Sequence, residues 1–229
     1  MTNNNHFNAK VTGWLFIAAA ISSIIGLKLY DPILTDKNFV VSASQNSSNV
    51  IFGAISELVL VATATGTGIM LFPLLKRYRE TIGLAYLSFR ILEVVFISIG
   101  LVSILTALSI SEHYTNGIIQ NKDDAQNLMM TFIYLHKWTF MIGPNFMLAI
   151  NTFLYSYVFL RTKAVPIALS RLGIGASFLI MTAAIIELFG IIEQLSTWGI
   201  LLALPIALYE MTLAIWLIVK GIQDRSPGL

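Results

Sequence analysis

The chain has 229 residues, of which 56% are hydrophobic and 11% charged, with a formal net charge of +2 and no cysteine. A charged fraction about half that of a soluble domain excludes a water-soluble fold, and no nucleic-acid partner is expected. The missing cysteines exclude disulfides, thiolate zinc sites, cysteine nucleophiles and iron–sulfur ligation.

Six apolar runs, 11–30, 50–75, 83–109, 138–160, 172–192 and 199–219, are each long enough to cross a hydrocarbon core about 30 Å thick, which takes roughly 20 residues. They are continuous, without the alternation of barrel strands, so the backbone satisfies itself as helices. The fold class is an all-α membrane protein, a six-transmembrane-helix bundle forming a single membrane domain over 1–229. The remaining loops are too short for a nucleotide-binding or catalytic soluble domain. The first run is as long as a full span and no small-x-small site precedes Asp31, so it reads as a retained helix and not a signal peptide.

Basic residues alternate in position with these runs. Lys10 precedes the first; Lys76, Arg77 and Arg79 follow the second; Arg161, Lys163 and Arg171 follow the fourth; Lys220 and Arg225 follow the sixth. The other loops set Lys28, Lys37 and Lys122 against Asp31, Asp36, Glu112, Asp123 and Asp124. The positive-inside rule then puts both termini in the cytoplasm and the longer loops, 31–49 and 110–125, outside. Trp14, Tyr30, Trp138 and Trp198 lie near span ends, where amphipathic rings anchor at the interface. The fourth region, 127–160, is too long for one upright span. Its spacing predicts an outer amphipathic segment through Lys137, then the span, kinked at Pro144.

Charged side chains inside the runs mark the candidate site. With a rise of about 1.5 Å per residue, Arg90, Glu93 and Glu210 lie about 10, 15 and 17 Å deep and form a midplane layer. Glu57, about 10 Å from the outer surface, Glu187, about 22 Å from the inner one, and His136 with Lys137 form an outer layer. Glu193 reads as a solvated helix end. Arg90 and Glu93 are three apart and share a helix face, in the weaker order for an intrahelical pair, which leaves Arg90 to be shared with Glu210. Such a cluster is either an ion-pair lock between helices or a ligand or proton pathway. Four carboxylates, Glu57, Glu93, Glu187 and Glu210, outnumber the fixed cations Arg90 and Lys137, so at least one is expected protonated or solvated by water.

Other signals are weaker. His136 is the only histidine in or beside a span, too few nitrogen or sulfur ligands for a metal, and no metal or cofactor is expected. A serine hydrolase lacks both its orienting aspartate and a Gly-x-Ser-x-Gly elbow. Gly66-Thr67-Gly68, with Thr63 and Thr65, reads as close helix packing with hydroxyls bonded to backbone. Asn145 and Asn151 hydrogen-bond across helices or line a pocket, with Asn151 assigned to the former.

Three segments carry a resemblance: Phe89-Arg90-Ile91-Leu92-Glu93; Leu135-His136-Lys137-Trp138 followed by Gly143; and Tyr209-Glu210 with Leu213-Ala214-Ile215-Trp216-Leu217. Together, over about 11–220 and in the same helix order, they resemble a bacterial family of integral membrane proteins known only as domain of unknown function 4386. The resemblance implies a multi-pass protein of the bacterial inner membrane, with Arg90, Glu93 and His136 as recurring polar positions. It implies no activity, substrate or cofactor. The residues themselves point to binding or transport of a small molecule or ion, with Glu57, Arg90, Glu93, His136, Lys137, Asn145, Glu187 and Glu210 as candidates. An intramembrane enzyme acting on a lipid-like substrate is the alternative, and a sensory or structural role a third. Partners are then the lipid bilayer, a small-molecule or lipid ligand, and a second copy in a homodimer.

Overall fold

Apolar residues on every face make a helix that buries part of its surface in protein and offers the rest to lipid. In the computed structural model, which describes residues 2–223 and side chains from residue 6 onward, this holds for five helices. The order is α1 (Thr2–Leu29), α2 (Asp31–Leu34), α3 (Phe39–Gln45), α4 (Ser47–Tyr78), α5 (Glu80–Thr115), α6 (Lys122–Phe140), a π-helix (Met141–Met147), α7 (Leu148–Thr162), α8 (Ile167–Leu188) and α9 (Thr197–Val219). Most of α1 (His6–Leu29), and all of α4, α5, α8 and α9, are long and apolar enough to cross a membrane. No strand occurs among the described residues.

Two compact units divide these helices. One is formed by Ala19–Val61 and Val95–Phe140, the other by the remaining described residues, including Ala62–Val94; α1, α4 and α5 each contribute a segment to both.

The first unit shows that the stretches 31–49 and 110–125, expected as loops, are largely helical. The stretch 31–49 holds α2, started by Pro32 in its first turn, and α3, which buries Val40 and Ala43. With Tyr30, Ile33, Val50, Ile104, Leu108, Ala125 and Met129 these residues form a core, and α3 packs on α6. Ser111 fastens this arrangement: its hydroxyl donates to the Val40 carbonyl at 2.7 Å and accepts the Ser44 N–H at 2.9 Å. Helix α5 runs on to Thr115 and α6 begins at Lys122, so the expected 110–125 loop shrinks to a short turn.

The second unit is organised around Tyr155. Its ring lies 6.1 Å from Phe16, 6.1 Å from Tyr86, 5.7 Å from Phe159 and 6.1 Å from Tyr209. Helix α7 packs on α8 and α8 on α9. Ser156 and Tyr209 share a hydrogen bond of 2.7 Å, and a Cβ on Gly173 of α8 would strike both side chains.

Several helices outrun the apolar runs, α4 at both ends, α5 to Thr115 and α8 back to Ile167, and two further departures have a local cause. Helix α8 stops at Leu188, short of residue 192, because Gly190 turns left-handed (φ 69°). The Ile191 N–H then reaches the Ile186 carbonyl and the Gly190 N–H the Glu187 carbonyl, a Schellman close. The fourth run, 138–160, is the end of α6, the π-helix and part of α7. Pro144 lies inside the π-helix, where the wider turn accommodates a residue with no N–H to donate.

Candidate functional site

Each unit contains a buried polar cluster. In the second unit, Arg90 and Glu93 of α5 are only 4% and 5% exposed. Arg90 Nη1 donates to both Glu93 oxygens, at 3.0 and 2.8 Å. Its Nε donates to the Ala64 carbonyl (3.1 Å) and to Thr67 Oγ1 (3.0 Å), and Nη2 to Thr67 Oγ1 (2.5 Å). Thr67 passes its own proton to the Ala64 carbonyl at 2.7 Å, which leaves its lone pairs to the guanidinium. Gly68 lets the arginine stem pass: a Cβ there would sit 3.1 Å from Arg90 Cγ. The Gly66-Thr67-Gly68 run is thus both a close-packing surface, as expected, and the seat of the guanidinium. From α7, Asn151 Nδ2 donates to Glu93 Oε2 at 2.7 Å, the cross-helix bond assigned to it, while its Oδ1 is buried without a hydrogen-bond partner.

Glu210 of α9 is half-buried. It interacts electrostatically with Arg90 and Glu93, but no hydrogen bond or ion pair joins it to Arg90 among the described residues. The guanidinium is spent on Glu93, Thr67 and Ala64, so the expected sharing is long-range. In the same unit the π-helix presents Asn145 to α8, where its Nδ2 donates to Glu187 Oε2 at 2.8 Å.

The other unit holds Glu57 of α4, 6% exposed. Tyr30 donates its phenol to Glu57 Oε2 at 2.7 Å, and no cation pairs with Glu57 among the described residues. His136 completes the cluster from α6. Its Nδ1 lies 3.2 Å from the Gly100 carbonyl; a carbonyl only accepts, so Nδ1 carries the proton and a neutral ring keeps Nε2 as an acceptor. The ring stands edge-on to Tyr30 (5.9 Å, 87°) and stacks on Phe140 (5.8 Å, 27°). Gly100 permits this seat, since a Cβ there would lie 3.1 Å from His136 Nδ1 and 2.9 Å from Thr139 Oγ1. Ser22, Ser23, Gly26, Tyr30, Glu57, His136 and Phe140 line a small pocket with room for about one water molecule.

Of the expected outer layer, Glu57 and His136 therefore meet, Glu187 belongs to the other unit, and Lys137 lies exposed, about 100° around the helix from His136. Glu193 is exposed in the turn between α8 and α9, as a solvated end should be. Tyr30 is the site residue that sequence reasoning missed. Its place at a span end marks an interfacial anchor, and nothing local tells that its hydroxyl turns inward to Glu57. Among the described residues no group of three or more histidine, aspartate or glutamate side chains is placed to hold a metal ion.

Five long apolar helices with carboxylates buried among them define an integral membrane protein of the all-helical class. The family described as domain of unknown function (DUF4386) matches residues 11–221, and the chain belongs to that family. No curated protein and no solved structure matches it.

Proposed function

We propose that the protein binds a small molecule or ion within its membrane domain and carries it across a bacterial inner membrane. The observation that supports this is Glu57: a buried carboxylate at a pocket, with a phenol as hydrogen-bond donor and no paired cation. A carboxylate that served only packing would be expected to face a cation, as Glu93 does. Catalysis on an anionic lipid is less well supported, because Arg90, the group that would hold the headgroup, is committed to Glu93, Thr67 and Ala64. In this reading the chain crosses six times, the fourth crossing running through the π-helix, with both termini cytoplasmic and two copies forming the working unit.

The test is uptake into proteoliposomes from a panel of amines, alkali cations, amino acids, sugars and carboxylates, with native mass spectrometry of gently purified protein for retained ligands. At least one solute should enter with the wild type and fail to enter with Glu57→Gln, a change that keeps an acceptor for Tyr30 while removing the charge. If no solute enters or is retained, or if Glu57→Gln transports as the wild type does, the reading is wrong.

A further inference from the structure

Resting on that reading, we infer that the Glu57 pocket takes a small ammonium-type cation, with the ammonium ion itself as the best-fitting occupant. Charge decides the first point. The pocket has one carboxylate and no lysine or arginine in its lining, so an anion would meet only repulsion and unpaired acceptors. Size decides the second, because space for about one water molecule excludes lipid headgroups, sugars and amino acids.

The lining then separates one cation from another. Apart from the Tyr30 hydroxyl, which donates to Glu57, its polar side chains can serve as acceptors: the Glu57 carboxylate, the hydroxyls of Ser22 and Ser23, and His136 through Nε2, its other nitrogen being occupied by the Gly100 carbonyl. Ser22 already donates its own proton to the Ala19 carbonyl at 3.1 Å, so it faces a ligand as an acceptor. Four such groups suit the four N–H donors of ammonium. The rest of the wall is aromatic, from Tyr30, His136 and Phe140, and aliphatic, from Leu27 and Leu60, and the aromatic faces attract a weakly hydrated N–H cation. Calcium or magnesium would need about six oxygen ligands, more than this lining offers. Sodium, small and strongly hydrated, gains little from rings and from a ring nitrogen. Charge-assisted bonds from N–H to carboxylate are the stronger kind, so Glu57 supplies most of the affinity.

Ammonium, potassium, sodium and methylammonium chlorides, each balanced to constant ionic strength with N-methylglucamine chloride, would be titrated into purified protein while the thermal midpoint and the heat of binding are followed. Ammonium should bind saturably, about tenfold or more tighter than potassium or sodium, and Glu57→Gln should weaken it by at least about tenfold. Ser23→Ala, outside the buried core, should weaken it less. Wild-type selectivity is decisive even if Glu57→Gln fails to fold. Equal binding of ammonium and potassium would overturn the inference, as would a folded Glu57→Gln protein that binds ammonium unchanged. No saturable cation binding would also overturn it; Glu57-dependent uptake of a neutral or anionic solute would then leave the broader transport reading standing.

Discussion

Glu93 receives bonds from Arg90 on its own helix and from Asn151 on α7, whereas Glu57 receives one bond, from a phenol. That difference separates a locked carboxylate from an available one. Replacing Arg90 by leucine strands a buried negative charge and should destabilise the detergent-solubilised protein by about 3–5 kcal/mol. Adding Glu93→Gln to Arg90→Leu should recover a large part of that loss, and adding Glu210→Gln much less, when the three variants are compared by chemical unfolding. Equal recovery would show that Arg90 is shared evenly between Glu93 and Glu210. The Arg90–Glu93 contact was legible from a spacing of three on one helix face. A cross-helix bond from Asn151 was legible too, but neither its partner nor the Thr67 bonds were, because they join residues 58 and 23 positions apart and depend on which faces of separate helices meet.

Between helices, one glycine sets the approach in the second unit. Gly173 leaves α8 smooth where Ser156 of α7 and Tyr209 of α9 bond to each other. Gly173→Ala should push that pair apart and lower stability by about 1–3 kcal/mol, with thermal unfolding in detergent as the readout. A midpoint equal to the wild type would show that the three helices do not depend on this close approach. The π-helix is a second device of this kind. The sequence pointed to a kink at Pro144, and the structure shows a π-helical turn there, from which Asn145 reaches Glu187. Proline announces that an α-helix is interrupted, but not which irregular turn absorbs the interruption. Helices α2 and α3 were illegible for a related reason: segments of 4 and 7 residues have too few turns to show a period, and tertiary burial of Ile33, Val40 and Ala43 holds them helical.

For the whole molecule, the apolar runs located the long helices, because hydrocarbon tolerates little else over about 20 residues. Orientation rests on Lys76, Arg77 and Arg79 after α4 and on Arg161 and Lys163 at the end of α7; Arg225 lies outside the described residues. A reporter fused after Leu229 should therefore read as cytoplasmic, and one inserted in the turn at residues 116–121 as periplasmic. Two readings on the same side would overturn six crossings. The two units also impose an order of assembly. Ala19–Val61 and Val95–Phe140 can close their core once residue 140 has been synthesised. Gly13 of the first helix, however, lies against the Ala214 carbonyl and Ile218 of the last, and Phe16 shares a core with Leu213 and Leu217. During synthesis the first helix can complete its packing against the last only after residue 218 has been made, so this core closes on the two ends of the chain together.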